Sequence, residues 1–431
     1  MKKKLFISFI LFSGITGAAY SQVQTNTELK TLINQSFSYF PTLKEADNSI
    51  VAAEQRVQLA ELKVPEVNGN ASYNYIRPKI TLPLEVDNKV QEFQFAPVHS
   101  GNVAINAEYA LFDFGRLKRN VERAKTDVQF AKDNAAYART QLAYQVAAIY
   151  YNIVYFQKAL NIQDSVLDYL NENKRVIESK LKNGDAIKID LLNIQANIDA
   201  EQNRSIDLRS QLRKQLNLLA YTTGSQDASG KAFDFDLALR DAASALSEAQ
   251  ASNLDFMLAK DRIAQATGDV EVAKLGDRPS VNLNAAAGYK NGYVPNVTEL
   301  RFNYIAGVSL KVPIYNGSRT KKQVTLAETA VKQNELAIES LNNTYKKDIE
   351  QALTDISTNL SSIKNTRSQI EQTRAAQQIA ASRFLNGAGT NLDITTASSN
   401  YQRALLTALQ YEYHLCLAKV ELARLMGYKY W

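Results

Sequence analysis

The stretch Asn386-Gly387-Ala388-Gly389-Thr390-Asn391-Leu392-Asp393 lies between two very long helical patterns, and its reading decides the fold. Gly387 and Gly389 can supply the positive φ that ends a helix. Thr390 and Asp393 then read as a capping box, with Asp in place of the usual Glu, that starts the next helix. The stretch is the tip of a helical hairpin. Asn183-Gly184-Asp185-Ala186-Ile187-Lys188-Ile189-Asp190 has the same plan, and a shift of 203 carries Asn183 onto Asn386 and Asp190 onto Asp393. The same shift carries Leu219-Ala220 onto Leu422-Ala423 and Gly224 onto Gly427. One register held over more than forty residues marks an internal duplication.

Outward from the tips, each half follows one programme. Residues 23–63 read as helix, with Leu29, Leu32, Ile33 and Phe37 at helical spacing and Pro41 opening a second segment. Pro65 ends it, because proline disfavours helix at the preceding residue. After Pro65 the period becomes two. Val67, Gly69, Ala71, Tyr73 and Tyr75 alternate with asparagines and a serine, which predicts a strand over about 66–76. A polar, proline-containing loop is expected to about Asn102. A second strand is expected over about 103–111, with Val103, Ile105, Ala107, Tyr109 and Leu111 on one face. The Leu111–Arg116 turn, with Gly115, leads into a long helix. Its seven-residue seam runs Val121, Val128, Ala135, Leu142, Ile149 and Phe156, with a second seam through Val146, Ile153, Leu160 and Leu167. A sustained seven-residue period means coiled-coil packing. At ~1.5 Å per residue the helix is about 100 Å long, ending at the tip 183–187.

Residues 221–250 read as a weakly structured connector. The second half, 251–427, repeats the plan. Pro279 stands where Pro65 stood, and strands are expected over about 280–289 and 302–312. Pro313 and Gly317 mark the turn into the second long helix, whose seam through Val324, Val331, Ile338 and Tyr345 then steps by four to Ile349, a stutter. The tip 386–391 and a last helix follow, with a tail at 428–431.

The bounds agree. Lys2–Lys4, an apolar run and Ala19-Tyr20-Ser21 read as a secretory signal peptide over 1–21, leaving 22–220 as the first repeat. Without those three lysines the formal charge falls from +6 to +3, which does not call for nucleic acid. Cys416 is the single cysteine, and His99, placed in a loop, lies far from His414, so no metal site or cofactor is expected. No run of 18 apolar residues follows the signal, so any membrane crossing must use β-strands.

Four strands cannot close a barrel, and an open edge cannot face lipid. Two long hairpins with apolar seams also need neighbours. The expectation is a ring of two, three or four chains, with 8, 12 or 16 strands. In this order of features the chain resembles the TolC-like outer-membrane efflux proteins. The duplication, the Pro65 and Pro279 switches, the Leu-Phe-Asp-Phe-Gly and Pro-Ile-Tyr-Asn-Gly turns and the two Asn-Gly tips carry the resemblance. It implies a mainly α chain whose homotrimer closes a membrane β-barrel and an α-helical barrel extending into the periplasm. It implies an outer-membrane exit duct that docks on a periplasmic adaptor and an inner-membrane pump. It also implies a belt formed by residues 221–250 with the terminal segments. Asn183, Gly184, Asp185, Asn386, Gly387, Gly389 and Thr390 are then the adaptor-contacting tips. Asp190 and Asp393 match the acidic ring of the pore entrance, with Thr396 where some members carry a second aspartate. Asn391 and Lys188 are the partners at hand for a closed ring.

Two readings compete with that one. Asp190 and Asp393 also serve as helix caps, and capping is compatible with gating. A periplasmic coiled-coil scaffold whose hairpins pair in a soluble sheet, without a pore, is the alternative function. An enzyme is not expected, since no nucleophile–base set, metal cluster or phosphate loop appears.

Overall fold

The computed structural model describes residues 23–86, 89–228, 230 and 232–431. The signal peptide expected over 1–21 lies outside them. The elements in chain order are β1 (Val23–Gln24), α1 (Thr27–Tyr39), α2 (Pro41–Glu61), β2 (Glu66–Tyr75), β3 (Thr81–Val86), β4 (Lys89–Gln94), β5 (His99–Phe112), α3 (Arg116–Asn183) and α4 (Lys188–Thr223). The second half adds β6 (Asp236–Leu237), α5 (Ala242–Ser252), α6 (Leu254–Ala273), β7 (Ser280–Lys290), β8 (Arg301–Lys311), α7 (Arg319–Leu385) and α8 (Asn391–Leu425). α3 and α7 are unbroken over 68 and 67 residues. Two compact units result. One holds Lys44–Ala135 and Met257–Ser340; the other holds the residues up to Leu43, Ala136–Phe256 and Leu341–Trp431.

In the first unit, β2, β5, β7 and β8 form one antiparallel sheet in that order, so the two halves of the duplication join at β5–β7. The register fixes the faces. Val67 faces Ala107, Ala107 faces Ala285 and Ala285 faces Ala306. The expected apolar set of all four strands therefore shares one face, from Val67 to Tyr75, Val103 to Tyr109, Val281 to Tyr289 and Phe302 to Leu310. The other face is amide-rich: Asn106 Nδ2 donates to Asn70 Oδ1 at 2.8 Å, and Asn284 Nδ2 to Ser309 Oγ at 2.9 Å. Where β5 and β7 meet, Gly288 admits the backbone of Val103 so closely that a Cβ would lie 2.1 Å from its carbonyl oxygen. β2 and β8 are the two edges of the sheet.

Three sequence expectations change here. The loop to Asn102 contains a second hairpin, β3–β4. Its alternation is masked by Pro83 within β3 and by the charged Glu85, Lys89 and Glu92. Leu111 falls beside a bulge between Ala110 and Phe112, which interrupts its face assignment. His99 opens β5 rather than lying in a loop, and its Nδ1 sits 2.6 Å from the Tyr73 hydroxyl.

In the second unit, α1, α3, α5, α7 and α8 enclose the main apolar cluster, with Tyr150, Tyr151, Ile153, Ile349 and Leu422 fully buried. Buried hydroxyls need partners. Tyr150 takes a hydrogen bond from Asn26 Nδ2 at 2.7 Å and donates to Glu28 at 2.9 Å, while Tyr151 donates to Asp234 at 3.1 Å. Residues 23–24 are strand rather than helix, because Val23 and Gln24 pair with Leu237 and Asp236. Tyr430 packs on Phe235 and Trp431 on Phe37. The expected connector thus carries β6 and α5.

A smaller apolar cluster gathers Val166, Leu170, Ile177, Ile194, Ile198, Phe384 and Ile394. In sequence order along the helices, Gln163, Glu201 and Gln402 fall between the two clusters. Gln163 Nε2 and Gln402 Nε2 donate to Glu201 Oε2 at 2.8 and 2.9 Å, and Arg204 donates to Oε1 at 2.6 Å. This buried layer ties α3, α4 and α8 through a carboxylate whose oxygens are both engaged, the condition under which a buried charge is tolerable. The buried seam of α3 there is Gln163, Val166, Leu170, Asn173 and Ile177, not the expected Leu160 and Leu167, which stay half-buried. Polar residues at two seam positions hid it from an apolar reading.

Candidate functional site

The two hairpin tips are built by local rules. At the first, α3 ends at Asn183, Gly184 takes φ 84°, and Asp185 N–H returns to the Lys180 carbonyl at 2.8 Å. That is the left-handed close of a helix. Ile187 stands at the N-cap of α4 and has no side-chain acceptor, so only half of a capping box forms: Ile187 N–H donates to Asp190 Oδ2 at 3.3 Å. At the second tip, Gly387 takes φ 73° and Ala388 N–H reaches the Arg383 carbonyl at 2.8 Å. Here the box is complete. Asp393 N–H donates to Thr390 Oγ1 at 3.2 Å, and Thr390 N–H donates to Asp393 Oδ2 at 2.9 Å. Thr390 N–H and the Thr390 hydroxyl, which also donates to Asp393 Oδ2 at 2.9 Å, hold the Asp393 carboxyl below the usual carboxylate range. Gly389 was expected to supply a positive φ and does not. A Cβ there would come within 3.1 Å of Arg383 Cβ, so the position needs close approach rather than backbone freedom.

The structure brings the two tips together. Asn391 is buried and its Nδ2 donates to the Asp190 carbonyl at 3.2 Å. Lys180 Nζ donates to the Leu385 carbonyl at 3.3 Å and lies 5.0 Å from the Phe384 ring centroid. Asn391 meets the backbone of Asp190 and not its carboxylate, and Lys188 pairs with neither aspartate among the described residues. Asp393 and Thr396 are exposed one turn apart on α8, and Asp190 is half-buried on α4. Asn183, Gly184, Asp185, Asn386, Gly387 and Thr390 are exposed.

Sequence reasoning missed the apolar residues that surround these turns. Ile187, Ile189, Leu192, Leu385 and Leu392 are 57–72% exposed. Their apolarity was visible in the sequence; their exposure was not. Leu385 and Leu392 adjoin the buried Phe384 and Asn391, and Leu192 lies two residues from the buried Ile194.

The switches between helix and strand lie in the sheet-bearing unit. Pro65 and Pro279 stand immediately before β2 and β7. Gly115 takes φ 91° next to Phe114 at φ 54°, and Gly317 takes φ 65° next to Ser318 at φ 63°. Two consecutive left-handed residues therefore turn each strand into its long helix. Pro313 lies just after β8. Asp113 caps the first of these helices, accepting from Leu117 N–H at 2.6 Å. Among the described residues no group of His, Cys, Asp and Glu is placed to hold a metal ion.

The family described as "Outer membrane efflux protein" matches residues 19–225 and 245–428. Outer membrane efflux protein BepC of Brucella suis is 21% identical over 437 aligned residues, covering 99% of this chain and 90% of BepC. The crystal structure of VceC, an outer membrane protein of Vibrio cholerae, is similar with TM-score 0.73 at 19% identity, over 93% of this chain and 96% of VceC. The open state of the MtrE outer membrane channel of Neisseria gonorrhoeae is similar with TM-score 0.72 at 18% identity, over 93% of this chain and 89% of MtrE.

Proposed function

The chain belongs to the outer membrane efflux protein family, and on that premise we propose that it is a homotrimeric exit duct spanning the outer membrane, with a helical barrel reaching into the periplasm. The observation that carries this reading is the four-stranded sheet with one continuous apolar face, one amide-rich face and two edges. Such a sheet suits lipid on one side and water on the other, and its edges require other copies. Three copies supply twelve strands. The duct has no chemistry of its own; substrate moves when an inner-membrane pump drives it.

The tips supply the second part of the proposal. Exposed turns rimmed by Ile187, Leu192, Leu385 and Leu392 form a surface that suits the coiled-coil end of a periplasmic adaptor. Asp190 and Asp393 of each copy would then crowd around one axis and favour cations at the entrance. The link from Asn391 to Asp190 ties the two tips of one copy together.

Cell fractionation tests location. The protein should sediment with the outer membrane and need detergent for release. Recovery in an osmotic-shock wash would support the scaffold without a pore.

A further inference from the structure

One end of the sheet carries an uncompensated charge. Glu66 lies directly opposite Glu108 in the β2–β5 pairing, on the amide-rich face. Like charges directly opposite each other destabilise a sheet. Each carboxylate has an amide donor, Asn68 Nδ2 to Glu66 at 3.0 Å and Asn282 Nδ2 to Glu108 at 3.3 Å. Neither forms an ion pair with its own chain among the described residues. Lys311 closes β8 opposite Ser280, on the same face and at the same end, and it too forms no ion pair among the described residues. Glu66 and Lys311 stand on the two edges of the sheet.

We propose that β8 of one copy pairs antiparallel with β2 of the next, and that Lys311 lies opposite Glu66 of the adjacent copy in an ion pair that pins the register of the seam. The inference rests on the ring assembly proposed above and adds what sets its register.

The sheet itself selects this register. One row of rungs runs Glu66, Glu108, Asn284, Gly307. Lys311 lies four residues beyond Gly307 towards the end of β8. Setting Glu66 of the next copy level with Lys311 staggers each copy by four residues across four strands. At ~3.3 Å per residue and ~4.8 Å per strand, the strand tilt is about 35°, which lies within the range of closed barrels. No stagger would leave the strands untilted, a stagger of about two gives roughly 19°, and one of about six gives roughly 46° and sets Glu66 level with Pro313, beyond the end of β8. An odd stagger would turn the apolar face inward. A stagger in the other direction sets Glu66 against Asn303 and leaves most of both edges unpaired. In the chosen register Ser309 meets Asn68 of the adjacent copy. On the apolar face Tyr304 meets Tyr73 and Phe302 meets Tyr75, pairings that favour adjacent strands.

Paired cysteines test the register in the full chain, since Cys416 is buried and does not compete. Glu66→Cys with Lys311→Cys should give copies linked by disulfides, seen as dimers and trimers on a non-reducing gel. Asn68→Cys with Lys311→Cys, and Glu66→Cys with Ser309→Cys, should link about tenfold more slowly, because a diagonal pair lies beyond disulfide reach. Lys311→Glu should lower the temperature at which the assembly dissociates in detergent, and adding Glu66→Lys should restore it. Preferential linking of either control pair, or a double charge swap no better than Lys311→Glu alone, overturns the inference. Its failure is separable from failure of the ring itself: a trimeric mass with the wrong pair linked refutes only the seam register, whereas a single-chain mass with no linked pair refutes the assembly.

Discussion

Ile394→Ala isolates what anchors the second tip. Between Asn391 and Gln402 the buried residues of α8 are Asn391, Ile394, Ser398 and Gln402. Three are polar and attach by hydrogen bonds, to the Asp190 carbonyl, to Gln377 and to the Glu201 layer. Ile394, 1% exposed, is the one large apolar anchor and packs in the cluster with Ile177, Ile194, Ile198 and Phe384. Truncating a buried isoleucine costs about 2–5 kcal/mol. Near a hairpin end, where the chain can partly collapse, the lower half applies, and the better helix propensity of alanine offsets a few tenths. A loss of about 2–3 kcal/mol raises the local opening equilibrium roughly 30- to 150-fold. Hydrogen exchange read by mass spectrometry should show that acceleration in peptides covering 391–402 and leave those from Leu409 onward unchanged. Leu392→Ala, two residues away but 72% exposed, should change exchange by less than about threefold, matching a surface substitution within ~0.5 kcal/mol. Equal exchange in the two variants would refute the assignment of Ile394 as the anchor.

Other consequences are equally direct. Asp393→Asn keeps a capping side chain and removes the charge, so planar-bilayer recordings should show raised conductance or weakened cation preference. Wild-type values for both would leave Asp393 a cap alone. Because Thr390 holds the Asp393 carboxyl below its ordinary range, the cap is fully present above that range and is lost as pH falls through the lower folded value. Exchange of the first turn of α8 should accelerate in that acid window and not near neutrality. Burial and the neighbouring Asp133 push Asp261 up to about 6. The folded chain then keeps a proton that the unfolded chain releases near pH ~4, so stability falls as pH rises between the two values. Asp261→Asn should raise Tm at pH 7 and flatten that slope in detergent melts, and an unchanged slope would refute the assignment.

Much of this architecture was legible because it rests on periodicity. The four alternating runs share one face in the register observed, since a period of two rules out every pairing shifted by an odd number of residues. Thr390 and Asp393 could be read as a box because the donors they satisfy are local. What stayed hidden breaks those regularities. The β3–β4 hairpin carries Pro83 within a strand, and Gln163, Asn173 and Gln402 occupy seam positions that an apolar pattern skips. The pairing of Val23 with Leu237 joins residues too distant for any local signal. The exposure of Ile187, Ile189, Leu192, Leu385 and Leu392 at the tips depends on what packs nearby, which no local pattern encodes.

The mass of the detergent-solubilised protein tests the central claim most directly. Native mass spectrometry should find three chains, the number that turns four strands per copy into twelve and leaves no edge in lipid. A stable single chain, with the edges of β2 and β8 unpaired, would contradict the account.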